Sequence, residues 1–218
     1  MKERPIIMTG HSVRAILDGR KTQTRRIVSK DIGPLHGDPV QFMEPHELAF
    51  WSSDPEKSPH VMVSVPFHVG DRLWVRESVA LGPACNDPNP EDEDDWHVFY
   101  RATEDDGRPW LLGTDENTVE VKPPWKSPLF MPRWASRLTL VVVEVGVERV
   151  NAISWADIKA EGVDCPEHDG PGTFCVSECH AARAHFAKAW NDVNGKRAPW
   201  SNNPWVWVVT FRRVEGKP

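Results

Sequence analysis

The chain lacks an apolar run approaching the roughly 20 residues a membrane-spanning helix needs, and MKERPIIMTG at its start has no hydrophobic signal-peptide core. A cytoplasmic protein without membrane contact is therefore expected. Cysteine is sparse, with Cys85, Cys165, Cys175 and Cys179 only, so a disulfide framework is not the expected source of stability. One tyrosine stands against 11 tryptophans and 20 prolines, and the mean hydropathy is −0.50. Long irregular connections around an aromatic core follow.

Excess positive charge is also missing. The net charge is −6, and removing the six acids of the run from Asp87 to Asp95 from the total of 32 leaves 26 acids against 26 bases. A balanced remainder gives no general attraction to long nucleic acid, so any such contact must be local. At 218 residues the chain is long enough for one large domain with insertions.

The densest chemistry lies in GRKTQTRR, Gly19 to Arg26, where four cations and two hydroxyls fall within eight residues. PIIMT at Pro5 to Thr9 reads as a strand. Ser12 is the expected cap of a helix burying Val13, Ile16 and Leu17, and Gly19 ends it. If Thr22 to Val28 is extended, Thr22, Thr24 and Arg26 share one face and Gln23, Arg25 and Ile27 the other. This places Thr24 and Arg26 with a ligand and assigns Arg25 to solvent or structure. A solvated basic strand edge is the simpler alternative.

Further along, VGDRLWVRES alternates as a strand, with Arg72, Trp74 and Arg76 on one face and Leu73, Val75 and Glu77 on the other. Trp74 is either a base-stacking surface beside a phosphate-holding Arg76 or a core residue, with Glu77 pairing an arginine such as Arg26 or Arg137. WHVFYRA, Trp96 to Ala102, reads as a strand, and Asp105 to Trp125 as turns around a short strand at Thr118 to Val121. Leu138 to Val147 is the strongest strand, apolar on both faces at its centre. Ser154 and Asp157 form a capping pair for a helix through Ala160, closed by Gly162, and Ala181 to Val193 forms a second. Trp205 to Val214 is a closing strand, with Trp205 and Trp207 on one face. Helices are too few for a doubly wound sheet, so an α+β class with a small mixed barrel and peripheral helices is expected.

PIIMTG, VRAILDGRKTQTRR, GDRLWVRE, MPRWASRLTL, AEG at Ala160 to Gly162 and NPWVWVVTF occur in an order that resembles the ASCH family of the PUA-like superfamily, in the long form common in phages and prophages. The resemblance implies one domain over residues 1 to 218, a PUA-like mixed β pseudo-barrel with peripheral helices. Long loop insertions lie at about 30–66, 82–95 and 163–180. It implies a cleft beside the GRKTQTRR strand that binds RNA or a modified nucleoside, with Arg20, Lys21, Thr22, Thr24, Arg26, Arg72, Trp74 and Arg76 as ligand-binding candidates. It also implies, as an alternative, an amidohydrolase acting on N4-acetylcytidine. In that scheme Lys21 is the base, Thr24 the nucleophile and Glu161 the acid for the leaving amine, with no cofactor required. Ribonuclease activity ranks third, because no histidine stands inside a family motif. Separately, Cys165, His168, Cys175 and Cys179 offer thiolate and imidazole at spacings that a structural zinc accepts. Protein partners are not indicated.

Overall fold

The computed structural model describes residues 2–28, 42–44, 47–50, 61–83, 96–108, 110–112, 119–163 and 180–214. Among these residues twelve strands and four α-helices follow in chain order: β1 (Glu3–Ile7), α1 (Gly10–Leu17), β2 (Gln23–Ile27), β3 (Phe42–Glu44), β4 (Glu47–Phe50), β5 (Val61–Ser64), β6 (Arg72–Arg76), β7 (Val79–Pro83), β8 (Trp96–Tyr100), α2 (Arg101–Glu104), β9 (Trp110–Leu112), β10 (Val119–Val121), β11 (Thr139–Arg149), α3 (Trp155–Ala160), α4 (His180–Asn194) and β12 (Trp205–Arg213). The class is α+β, with both parallel and antiparallel strand pairs. Among the described residues no sheet closes into a barrel. The chain divides into two compact units. One comprises Met1–Lys2, Arg20–Asp71 and Val141–Arg212, and the other Glu3–Gly19, Arg72–Leu140 and Arg213–Pro218.

In the first unit β12 lies between β11 and β2, and it pairs with β2 antiparallel, Val206 opposite Ile27 through Thr210 opposite Gln23. Strands β3, β4 and β5 form a separate antiparallel meander. The core joins Val150, Ile153 and Ile158 to Ala182, Phe186 and Trp190 of α4 and to Val206 of β12. The short helix α3 is fixed at both ends. The Asp157 N–H donates to Ser154 Oγ at 3.2 Å, while the Ser154 hydroxyl donates to the Asp157 carboxylate at 2.6 Å. At the other end Gly162 takes φ 73°, which a residue with a Cβ adopts only with strain. That capping arrangement matches the expectation from sequence. Trp205, Val206 and Trp207 are all buried, so both faces of β12 are covered at its start.

In the second unit β1 runs parallel to β6, pairing Glu3 with Arg72 through Ile7 with Arg76. Helix α1 is capped by Thr9, whose hydroxyl accepts the Ser12 N–H at 3.2 Å, so it begins before the expected Ser12. Gly19 at φ 75° lies beyond its end. Strands β7 and β8 pair antiparallel, as do β9 and β10. Strand β8 ends at Tyr100 and the chain turns into α2, where a strand through Ala102 was expected. Strand β9 forms where the sequence predicts turns. A buried node holds the unit at Glu77, whose carboxylate accepts from Nε and Nη2 of Arg137 at 2.9 Å each, while that guanidinium lies 4.0 Å over the Tyr100 ring. The sequence named Arg137 as one of two partners for Glu77.

Candidate functional site

The first unit positions the GRKTQTRR segment beside the end of α3. The Thr22 N–H donates to the carbonyl of Ala160 at 2.8 Å, and the Phe211 N–H donates to the carbonyl of Thr22 at 2.8 Å. Lys21 and Glu161 thereby form an isolated antiparallel bridge. Because α3 is capped and terminated where Glu161 stands, its side chain is delivered to Lys21. The Lys21 ammonium donates to the Glu161 main-chain carbonyl at 2.9 Å and to its Oε2. The two residues are 4% and 8% exposed.

Arg25, Gln23, Glu148, Asp157 and Thr210 complete the cluster. Arg25 donates from Nη1 to Glu161 Oε1 at 3.2 Å and to Gln23 Oε1 at 2.6 Å, and from Nε to Glu148 Oε1 at 2.8 Å. Its Nη2 stands 3.6 Å from the Asp157 carboxylate. Gln23 in turn donates to Thr210 Oγ1 at 3.4 Å. The two oxygens of Glu161 therefore serve two different cations. Burying one carboxylate among charges is tolerable only with such partners, since an isolated buried ion is heavily disfavoured.

The electrostatics follow from that crowding. Burial holds the Lys21 ammonium below its usual range. The Glu161 charge pulls the other way, and Arg26 and Arg25 add to the lowering. Burial pushes the Asp157 carboxyl up, but hydrogen bonds from Ser154 and Gln23 and the charge of Arg25 bring it below its ordinary value. Burial also lowers Arg26, opposed by the charge of Glu161.

Of the expected catalytic set, Lys21 and Glu161 are brought into contact. Thr24 is buried opposite Val209 of β12, and strand alternation puts it on the face of β2 away from Gln23 and Arg25. Arg26 is half-buried opposite Trp207. Arg20 and Thr22 are exposed, and Arg20 donates to the Gly162 carbonyl at 3.4 Å. Arg25, assigned to solvent or structure from the sequence, is buried and is the most heavily partnered cation of the cluster. Gln23, Glu148, Asp157 and Thr210 were not singled out as site residues. For Gln23 alone there was a signal: positions 21, 23 and 25 have the same parity along an extended chain, so a contact made by Lys21 implicates Gln23 and Arg25 before Thr24 and Arg26.

Arg72, Trp74 and Arg76 belong to the second unit. They share a half-buried face of β6, where the guanidinium groups of Arg76 and Arg133 lie 5.3 Å and 5.8 Å from the Trp74 ring centroid. The four candidate zinc ligands, Cys165, His168, Cys175 and Cys179, lie outside the described residues.

A buried ammonium in contact with a carboxylate is one proton shift away from an amine beside a carboxylic acid. In that second form the pair contains a general base and a general acid at adjacent atoms. Arg25 orients the carboxylate, and Gln23 and Glu148 orient Arg25. No family model matches the chain, and no curated protein or solved structure matches it.

Proposed function

We propose that this chain is an ASCH-type protein, its mixed sheet part of a PUA-like pseudo-barrel, and that the Lys21 site hydrolyses the amide of a nucleoside with an acylated exocyclic amine. The observation that supports this is the buried contact between Lys21 and Glu161, with the lysine held towards its neutral form. Perturbed, mutually oriented titratable groups are what acid–base catalysis requires.

In this reading the Lys21 amine takes the proton of the nucleophile as it adds to the amide carbon. The tetrahedral intermediate collapses as the Glu161 carboxylic acid protonates the departing nitrogen. The C–N bond breaks, releasing the free amine and the acid. Thr24 as nucleophile gives an acyl-enzyme that a water then cleaves; water as nucleophile gives the acid in one step. The scheme uses no cofactor.

The test is incubation with N4-acetylcytidine, following cytidine by chromatography. Lys21→Met and Glu161→Gln should each lower kcat/KM by about a hundredfold or more. Loss of turnover in Thr24→Ala assigns the attack to its hydroxyl, and retention assigns it to water. A second reading, binding of RNA or a modified nucleoside with no bond broken, is favoured by the engagement of Glu161 with both Lys21 and Arg25. Absence of turnover, with nucleoside retained in equilibrium dialysis and lost in Lys21→Met, selects it. Neither turnover nor binding would reject both.

A further inference from the structure

A different surface, in the second unit, has the composition of a protein-docking face. Within six residues Leu129, Phe130 and Trp134 are 60%, 74% and 67% exposed. Their exposure is built in by two fixed 3₁₀ turns, Pro128–Phe130 and Arg133–Ala135. The Ser127 hydroxyl caps the first by accepting the Leu129 N–H at 3.4 Å, and Met131 and Ala135 are buried against Val79, anchoring both. The chain thus spends its small or flexible side chains inward and holds its largest ones in water, an unfavourable arrangement for a surface that stays bare.

Cations border these side chains. Arg76 donates to the Leu129 carbonyl, and Arg133 donates to the Glu3 carboxylate at 2.7 Å. Both guanidinium groups lie near the Trp74 ring, 5.3 Å and 5.8 Å from its centroid. Tryptophan, phenylalanine and arginine are the side chains that concentrate binding energy at protein interfaces.

We propose that this face docks a segment of another protein that is acidic and apolar, its aliphatic or aromatic side chains against Leu129, Phe130 and Trp134 and its carboxylates beside Arg76 and Arg133. A polynucleotide is the poorer occupant. It needs fresh donors for a phosphate at every step, whereas the side chains this face exposes most, Leu129, Phe130 and Trp134, are apolar. The proposal is independent of the chemistry at Lys21.

The test titrates the full chain into a short fluorescent peptide in which Glu and Asp alternate with Leu and Phe, read by anisotropy. Saturable binding is expected, weaker by at least about tenfold for Phe130→Ser and for Trp134→Ser, and weaker when Lys replaces the peptide's acids. These side chains are exposed, and an unchanged circular dichroism melt would show that both variants fold. The proposal is overturned by no binding, or by binding unchanged in the variants. It is equally overturned if oligouridylate is held more tightly than the peptide and released by the variants. Sedimentation showing a dimer that Trp134→Ser dissociates would replace the peptide with a second copy of the chain.

Discussion

Lys21 holds Glu161 at two points, donating to its main-chain carbonyl at 2.9 Å and to its carboxylate. Because the other carboxylate oxygen accepts from Arg25 at 3.2 Å, the two partners are not equivalent. Glu161→Leu leaves the buried Lys21 without its carboxylate, while Arg25 keeps Glu148 and Asp157, and should cost about 3–5 kcal/mol. Lys21→Met leaves Glu161 with Arg25 and should cost less, about 1–3 kcal/mol. Urea midpoints of the two variants check the order; a larger loss for Lys21→Met would contradict the shared-carboxylate geometry.

The lowered Lys21 has a consequence for stability against pH. Burial is the cause, and the ordinary lysine value is 10.5. Between the depressed native value and that ordinary value the unfolded chain binds a proton that the native chain does not, so this residue's contribution rises with pH across the window. It is complete above the ordinary value and lost as pH falls through the native one. Subtracting the stability of Lys21→Met from that of the parent, by chemical denaturation at a series of alkaline pH values, should give a difference that increases with pH. A flat difference would mean that the lysine is not perturbed.

Two glycines separate backbone strain from steric exclusion. A Cβ at Gly19 would meet no atom within 4 Å, yet its φ is 75°, so Gly19→Ala should cost roughly 1–2 kcal/mol through conformation alone. A Cβ at Gly82 would stand 2.7 Å from the Trp110 ring, which packs on Phe99 with centroids 4.6 Å apart. Gly82→Ala should therefore displace that ring, at about 1–3 kcal/mol, with a change in tryptophan emission that Gly19→Ala does not produce.

At the second unit's buried node, Glu77 is 1% exposed and depends on the paired donors of Arg137. Arg137→Leu leaves that carboxylate buried without its cation and should cost about 3–5 kcal/mol. Arg137→Lys restores the charge but not the fork or the planar contact with Tyr100, so a partial loss is expected. Thermal midpoints of both variants equal to the parent's would show that charge and shape are both dispensable.

How far the fold was legible depends on how local its causes are. The capping of α3 by Ser154 and Asp157 and its stop at Gly162 involve residues a few positions apart, and the sequence carries them openly. The apolar run of β11 was similarly plain. Helix α1 starts earlier than Ser12 because two hydroxyls compete as cap and Thr9 wins by accepting the Ser12 N–H. Strand β9 has three residues, too few to display a period. In the candidate site, Lys21 and Glu161 were legible through a family resemblance, whereas the burial of Arg25 was not. Its partner Glu148 lies 123 positions away, and nothing in the spacing of either segment announces the other.

Among the described residues the charges around Glu161 come out even: Lys21, Arg25 and, at longer range, Arg26 stand against Glu148, Asp157 and Glu161, three cations and three carboxylates. An electroneutral cluster gains nothing from an incoming anion that it does not lose from an internal pair. On the proposed function, the site should therefore prefer a nucleoside to its phosphorylated counterpart, and the affinity for that uncharged ligand should stay almost constant as potassium chloride is raised. Tighter binding of the phosphorylated counterpart, weakening steeply with salt, would instead place its anionic groups among these cations.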